Sequence, residues 1–554
     1  MKATVPDSAR RHSYETGIRR IFYSLYATIF LALETSLALF IIRWDHPASV
    51  ALFAVLTVLF SGSSYGIARQ LTALFTRYVQ PPRLSSAPQG KRVAILYATM
   101  NDVVPECLAA IRQSYPCDVY IIDDSTNPEA RTIVDSISAE HHYSVVRRNE
   151  RRGFKAGAIN DWLRQHASYD YIVLLDSDSY IPPDWVEEAL KFSEHPSNSG
   201  VAIFQGMINI WNLDTGFVKA LAAMTRIGQF VWERQLANVL DAVFCYGHNV
   251  LIRVSALREV GGFVEGYVSE DFATAVALAE KNWHSRFVPL HTYEAMPENV
   301  RGFIKRQNKW TRGSMEFFGF SRKRLSKSRK LHLLQIPIGH ITNLLLPLGM
   351  LLTVYGFSST PSSAAVFFQH FLSNPVATYW SVPILRFMAI LGVFVSAVSI
   401  AVRYVCGISW SAYLKHRWLS SAISSISIPY EFKSIIVYFI GGLRTIPVTP
   451  KNEIPLSPGE VLRISAYAMV MDGILWFGIV TFNPLGAVYN SIWLVPMMLS
   501  PAIIMRFGGR KSYLTDVSST VDARVSPSCL FPDPAMVNTF LKSQHPRPVN
   551  GIQT

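Results

Sequence analysis

The first constraint on this chain is an apolar run near its start, IFYSLYATIFLALETSLALFII at 21–42. At about 1.5 Å per residue such a helix reaches across a bilayer. Its one acid, Glu34, must then face other helices or a polar cavity. A weaker run follows at 50–67, and four more occupy 335–357, 383–402, 464–481 and 488–505. The expectation is six spans. Composition agrees: half the residues are hydrophobic and only 16% are charged, too apolar for an ordinary soluble domain.

A net charge of +13 can signal nucleic acid. In a chain with spans it reads better as basic cytoplasmic loops beside anionic lipid, with no nucleic-acid partner. The loops at 358–382 and 482–490 contain no Lys or Arg, whereas Arg10, Arg11, Arg19 and Arg20 precede the first span. Arg69 and Arg77 follow the second, Arg403, Lys415 and Arg417 the fourth, and Arg506, Arg510 and Lys511 the last. The positive-inside rule then places both termini and the intervening soluble part in the cytoplasm. The segment 419–443 is apolar but interrupted by Pro429, Glu431 and Lys433. It reads as an interfacial helix, with a re-entrant hairpin as the alternative. Five scattered cysteines without C-x-x-C spacing suggest neither a disulfide framework nor a zinc site.

These boundaries divide the chain into a tail with two spans (1–85), a soluble domain (86–330), a second membrane region (331–510) and a polar tail expected to be disordered (511–554). Within the soluble part, VAILYAT, DVYIID, YSVVRR, YIVLLD and VAIFQG have the look of strands. CLAAIRQS, ARTIVDSISAE, GAINDWLRQH and DWVEEALKF have the look of helices. The alternation predicts an α/β fold with a mostly parallel sheet.

In YDYIVLLDSDSY (169–180), Asp176 and Asp178 lie at the mouth of a buried strand. Acids there often form a turn or a cap, but Asp184 is better placed to cap the helix that follows. In an open α/β sheet, ligands bind outside the carboxyl ends of the strands. Two carboxylates there suit Mg²⁺ or Mn²⁺ together with a substrate's phosphates. Four further stretches accompany them: IIDDSTN with Asp123 and Asp124, RRGFKAGAIN with Lys155, YVSEDFATAVAL with Glu270 and Asp271, and RQNKWTRGS with Lys309 and Trp310. Each has a bland reading as a turn former, solvated charge, helix-start acid or interfacial tryptophan. Together they suit transfer of a sugar from a nucleoside diphosphate. Asp271 would be the general base, and a metal and cations would offset charge on the leaving group.

The order of these motifs resembles the processive, inverting family-2 glycosyltransferases, the cellulose, chitin and hyaluronan synthases and their relatives. The likeness spans about 90–320 and extends into the membrane region. It implies a GT-A-like fold inserted between membrane helices. It also implies that Asp123 with Asp124, Thr99, and Lys155 with Ala156 and Gly157 bind the nucleotide sugar. Asp176 and Asp178 would hold the metal. FCYGHN is similar to the family's acceptor motif, which puts Tyr246, Gly247 and His248 near the acceptor, and Ser269–Glu270–Asp271 corresponds to its base motif. IPVTPK (446–451) is similar to the segment after the interfacial helix.

The Q-x-x-R-W motif departs, reading Arg306–Gln307–Asn308–Lys309–Trp310. Lys309 keeps the charge without the bidentate fork, which Arg306 or Arg312 would have to supply. Trp310 remains to stack on the acceptor. The tail of roughly 40 residues is too short for the PilZ regulatory domain of bacterial cellulose synthase, so no cyclic di-GMP control is expected. The resemblance implies a UDP-sugar donor, UDP-glucose favoured, a growing polysaccharide as acceptor, and a bacterial inner membrane. Accessory subunits or a homo-oligomer are left open. A non-processive transferase acting on a lipid is the second reading, and a transporter or inactive scaffold a remote third.

Overall fold

The computed structural model describes residues 8–507, except 167, 214, 243 and 442–455. The expected disordered tail (511–554) and IPVTPK lie outside the described residues. Two long helices, α1 (Ser8–Phe40) and α2 (Pro47–Phe75), lead into a seven-stranded sheet. Its strands are β1 (Val93–Thr99), β2 (Cys117–Asp123), β3 (Ser144–Val146), β4 (Tyr171–Asp176), β5 (Val201–Ile210), β6 (Val250–Arg253) and β7 (His284–Glu294), in the order β3-β2-β1-β4-β6-β5-β7. Between them run α3 (Pro105–Ala109), α4 (Pro128–His141), α5 (Phe154–Gln165), α6 (Trp185–Ser193), α7 (Gly216–Gly228), α8 (Val254–Glu259) and α9 (Glu270–Glu280). The amphipathic α10 (Val300–Met315) returns the chain to the membrane part.

The sheet is mixed, because β6 runs antiparallel to both β4 and β5. The other pairings are parallel, as the strand–helix alternation predicts. The apolar strands alternate their side chains between two cores. Leu96, Ile172 and Leu174 pack with Trp162 of α5 on one face. Ile95, Tyr171, Val173 and Leu175 pack with Trp185 of α6 on the other. Burial on both faces explains why these strands read as unbroken apolar runs. Each fully buried large side chain contributes about 1.5–3 kcal/mol. Asp184 stands at the start of α6, but its side chain makes no cap bond there.

The membrane part contains α11 (Lys327–Gly356), α12 (Pro361–Ser373), α13 (Pro375–Ser381), α14 (Pro383–Val405), α15 (Trp410–Ile440), α16 (Pro458–Phe482) and α17 (Gly486–Phe507). Six helices are long and apolar enough to cross a bilayer, and the chain is a multi-pass membrane protein. Their identity differs from expectation in one place. The set includes α15, whereas α17 offers only a shorter apolar stretch, Leu494–Arg506. α15 is one continuous helix through Pro429, beginning nine residues before the segment read as interfacial. The acid that had seemed to interrupt it, Glu431, is buried and satisfied: Asn343 donates to it at 3.1 Å and Ser427 at 2.8 Å, with His340 at 3.4 Å. The stretch 358–382, read as a loop, holds α12 and α13. Large apolar side chains such as Leu39, Val393, Val470 and Phe477 stand exposed along these helices, as lipid-facing surfaces require.

Candidate active site

Parallel register aligns the strand ends that carry the acids. Thr99 pairs with Asp123, and Ala98 with Asp176. The carboxyl ends of β1, β2 and β4 therefore open onto one edge, where a cavity of about 790 Å³ lies. It is lined by Thr99, Asp124, Lys155, Asp176, Asp178, Tyr246, Gly247, His248, Glu270, Asp271, Arg306, Lys309 and Trp310. Of the residues singled out from sequence, Asp123, Ala156, Gly157 and Arg312 are not among those that line it.

Asp123 and Gly157 act behind the wall. Asp123 is buried, accepts from the Ser125 N–H at 2.9 Å and pairs with Arg147 at 2.7 Å. Gly157 lies in α5, where an added Cβ would run into the carbonyl oxygen of Arg152. Asp124 is clamped by Arg148, whose Nε and Nη2 donate to its two oxygens at 2.9 and 2.6 Å. Arg147 and Arg148 were missed in the sequence as site residues. The signal was the register: β3 pairs with β2 from Tyr120↔Ser144 to Ile122↔Val146, so the next two positions set each arginine beside its aspartate.

Lys155 projects from the first turn of α5, forms an ion pair with Asp176 and donates to the Gly247 carbonyl at 2.9 Å. Burial alone would lower its ammonium pKa, but Asp176, Glu270 and Asp271 outweigh it and hold the pKa above its ordinary value. Asp102, also missed, joins the same edge. It accepts from Ser177 Oγ at 2.8 Å and Thr99 Oγ1 at 3.1 Å, fixing the loop that carries Asp176 and Asp178. Trp211 Nε1 donates to the Asp178 carbonyl at 3.0 Å.

Among the described residues no three His, Cys, Asp or Glu side chains converge as a metal cage. The pair Asp176 and Asp178 still fits Mg²⁺ or Mn²⁺. Both are hard oxygen donors on the cavity wall, and such ions take one or two carboxylates with the rest from phosphate and water.

Asp271 stands in the first turn of α9, against Gly247. A Cβ at Gly247, whose φ is +76°, would come within 2.8 Å of Asp271 Oδ2, so glycine permits this approach. Desolvation and then the neighbouring Glu270 raise the Asp271 pKa to about 7, against the Phe272 N–H, Lys309 and Lys155. A carboxylate poised near neutrality is suited to general-base work. Trp310 is half exposed, with the Arg306 guanidinium 4.5 Å from its ring centre. Arg306 also faces Glu294 at 4.0 Å, while Arg312 does not line the cavity.

A GT-A-type fold with acids at the carboxyl edge of its sheet, set between membrane helices, defines the class. Residues 171–398 match the model for glycosyl transferase family group 2. Over that stretch the chain is similar to the family-2 glycosyltransferases. It is 28% identical over 219 residues to a probable glucomannan 4-beta-mannosyltransferase of Arabidopsis thaliana, covering 37% of this chain and 40% of that protein. It is 25% identical over 265 residues to the glucans biosynthesis glucosyltransferase H of Klebsiella pneumoniae, covering 41% and 30%. The chain thus spans less than half the length of these curated relatives. A mannosyltransferase from Pyrobaculum calidifontis, solved with GDP-Man and Mn²⁺, superposes with a TM-score of 0.44 at 20% identity, covering 60% of this chain and 95% of that one.

Proposed function

We propose that this chain is an inverting β-glycosyltransferase that extends a polysaccharide from a nucleoside diphosphate sugar and passes the product through its own helices. The observation that carries this reading is the single cavity that holds Asp124, Lys155, Asp176, Asp178, Asp271, Lys309 and Trp310 together. Thr99 and Asp124 bind the nucleoside, and Lys155 and Lys309 face its diphosphate. Asp176 and Asp178 would hold a divalent ion, which would supply Lewis-acid stabilisation of the leaving diphosphate. Asp271 takes the proton from the acceptor hydroxyl as its oxygen attacks the anomeric carbon. One displacement inverts that centre. Trp310 presents its ring to the acceptor sugar. His340 of α11, which also lines the cavity, leads from there toward the membrane helices. The catalytic domain and both termini face the cytoplasm on the distribution of basic loops, in a bacterial inner membrane.

UDP-glucose is the favoured donor. Names among the relatives divide between mannosyl and glucosyl transfer, so GDP-mannose is the competitor. The test is purified protein in nanodiscs with Mg²⁺ or Mn²⁺ and radiolabelled UDP-glucose or GDP-mannose. A high-molecular-weight product, lost in Asp271→Asn, supports the reading. Label confined to a short lipid-linked product overturns the polymerase in favour of single-sugar transfer.

A further inference from the structure

Beyond Asp271 the cavity is lined by groups that no motif pointed to: Glu233, Glu294, Trp211 and Asn212. Glu233 lies in a π-helical turn, Gln229–Arg234, that continues α7. Such turns are rare and occur frequently at functional sites. The residue is about nine-tenths buried and lines the cavity. Oε1 accepts from the Tyr246 hydroxyl at 3.3 Å. Oε2 is buried without a hydrogen-bond partner among the described residues. A buried oxygen left without a hydrogen bond is costly, so such an atom calls for a ligand.

The position of that oxygen narrows the ligand. Tyr246, which holds Glu233, is next to Gly247, which Asp271 packs against. Glu233 therefore belongs to the side of the cavity where the attacking hydroxyl must come, away from the Arg148 clamp on Asp124. Its other neighbours are set for polar recognition as well. His248 faces Glu294 at 3.4 Å, and its Nδ1 has no hydrogen-bond partner among the described residues. Glu294 is the last residue of β7, with Arg306 at 4.0 Å.

We propose that Glu233 positions the acceptor, its free Oε2 hydrogen-bonding a hydroxyl of the acceptor's terminal hexose while Tyr246 holds the carboxyl in place. The assignment rests on the glycosyltransferase reading above. It adds a residue to the acceptor side that lies outside every motif matched in sequence. Burial, and then Glu294 against the Tyr246 hydrogen bond, raises the Glu233 pKa to about 8. At neutral pH the group is a neutral acid, able to donate as well as accept, which matches a sugar hydroxyl. Glutamine keeps the shape, the neutrality and a donor; alanine keeps none of the polar contact.

The experiment uses the full chain in nanodiscs with a labelled sugar donor and a soluble oligosaccharide primer as the varied acceptor. Glu233→Ala raises the acceptor KM about tenfold, the loss of one good hydrogen bond, while the donor KM stays within about twofold. Glu233→Gln recovers most of the acceptor KM. An unchanged acceptor KM in Glu233→Ala overturns the assignment, as does a Glu233→Gln variant as impaired as the alanine. Gel filtration of each variant in detergent checks its fold. Misfolded alanine transfers the decision to Glu233→Gln and Tyr246→Phe. For these, an acceptor KM raised less than about threefold in the first and clearly raised in the second supports the role, and the reverse overturns it. Wild-type protein that transfers no sugar from any donor overturns the glycosyltransferase reading itself, an outcome distinct from an active enzyme indifferent to Glu233.

Discussion

The two sides of the cavity are built differently. On the side proposed for the donor, nearly every charge has a protein partner. Arg148 grips Asp124, Arg147 grips Asp123, Lys155 spans Asp176 and Gly247, and Asp102 ties Thr99 to Ser177. On the side proposed for the acceptor, polar atoms are buried without hydrogen bonds among the described residues: Oε2 of Glu233 and Nδ1 of His248. The donor side is a finished rigid mould on strand ends. The acceptor side leaves hydrogen bonds for something that arrives and, in a polymerase, must slide on. A tightly satisfied wall would offer a moving chain nothing to hold; an unsatisfied one can exchange partners.

Variants at the boundary of the two sides test the chemistry first. Asp271→Asn should lower kcat by about 10²–10⁴, the usual contribution of a general base. A drop below tenfold in a steady-state assay would remove Asp271 from that role. In the wild type, kcat/KM should rise with pH through about 7, because the base works only after losing its proton and its pKa is raised. A flat profile between pH 5.5 and 8.5 contradicts this. Gly247→Ala should cost about 10²-fold in kcat, since a new Cβ meets Asp271 and about 1 Å of misplacement has that scale. Normal turnover in that variant would show that the close approach is dispensable.

Smaller effects sharpen the contrast between the walls. Arg148→Ala unclamps Asp124 and should raise the donor KM about tenfold with the acceptor KM unchanged, the mirror image of Glu233→Ala. Initial-rate kinetics with both substrates varied distinguish the two patterns, and an equal rise in both constants breaks the division into sides. Trp310→Ala should raise the acceptor KM about three- to tenfold, the scale of an aromatic contact. Retention of chain length in its product would show that the ring is not what keeps the acceptor bound.

The contrast also explains what the sequence could show. Asp124, Lys155, Asp176, Asp178 and Asp271 stand at strand ends and helix starts, where local pattern and short spacing identify them. The helpers Arg147 and Arg148 needed only the β2–β3 register. Glu233 and Glu294 were out of reach, because one sits on an irregular turn after α7 and the other ends β7, a strand the pattern did not reveal. β6 was equally hidden: four residues of apolar sequence do not tell parallel from antiparallel. Among the membrane helices the count of six was legible, and five of the six long apolar helices fall where the apolar runs stand. Glu431 counts as a charge in sequence, but hydrogen-bond donors folded around it satisfy its carboxylate.

α10 has one more consequence. Val300 and Ile304 lie in a common core with Phe217 and Leu221 of α7 and with Leu419, Ile423 and Ile426 of α15. Thr311 Oγ1 lies 3.1 Å from His340 Nδ1 on α11, one residue beyond the indole that faces the cavity. The boundary near residue 330 thus separates sequence, not machinery. A soluble fragment cut there would keep the donor mould and lose the scaffolding that aims Trp310. In the intact protein the helix that carries that ring is tied to both α11 and α15, whose tilt depends on bilayer thickness.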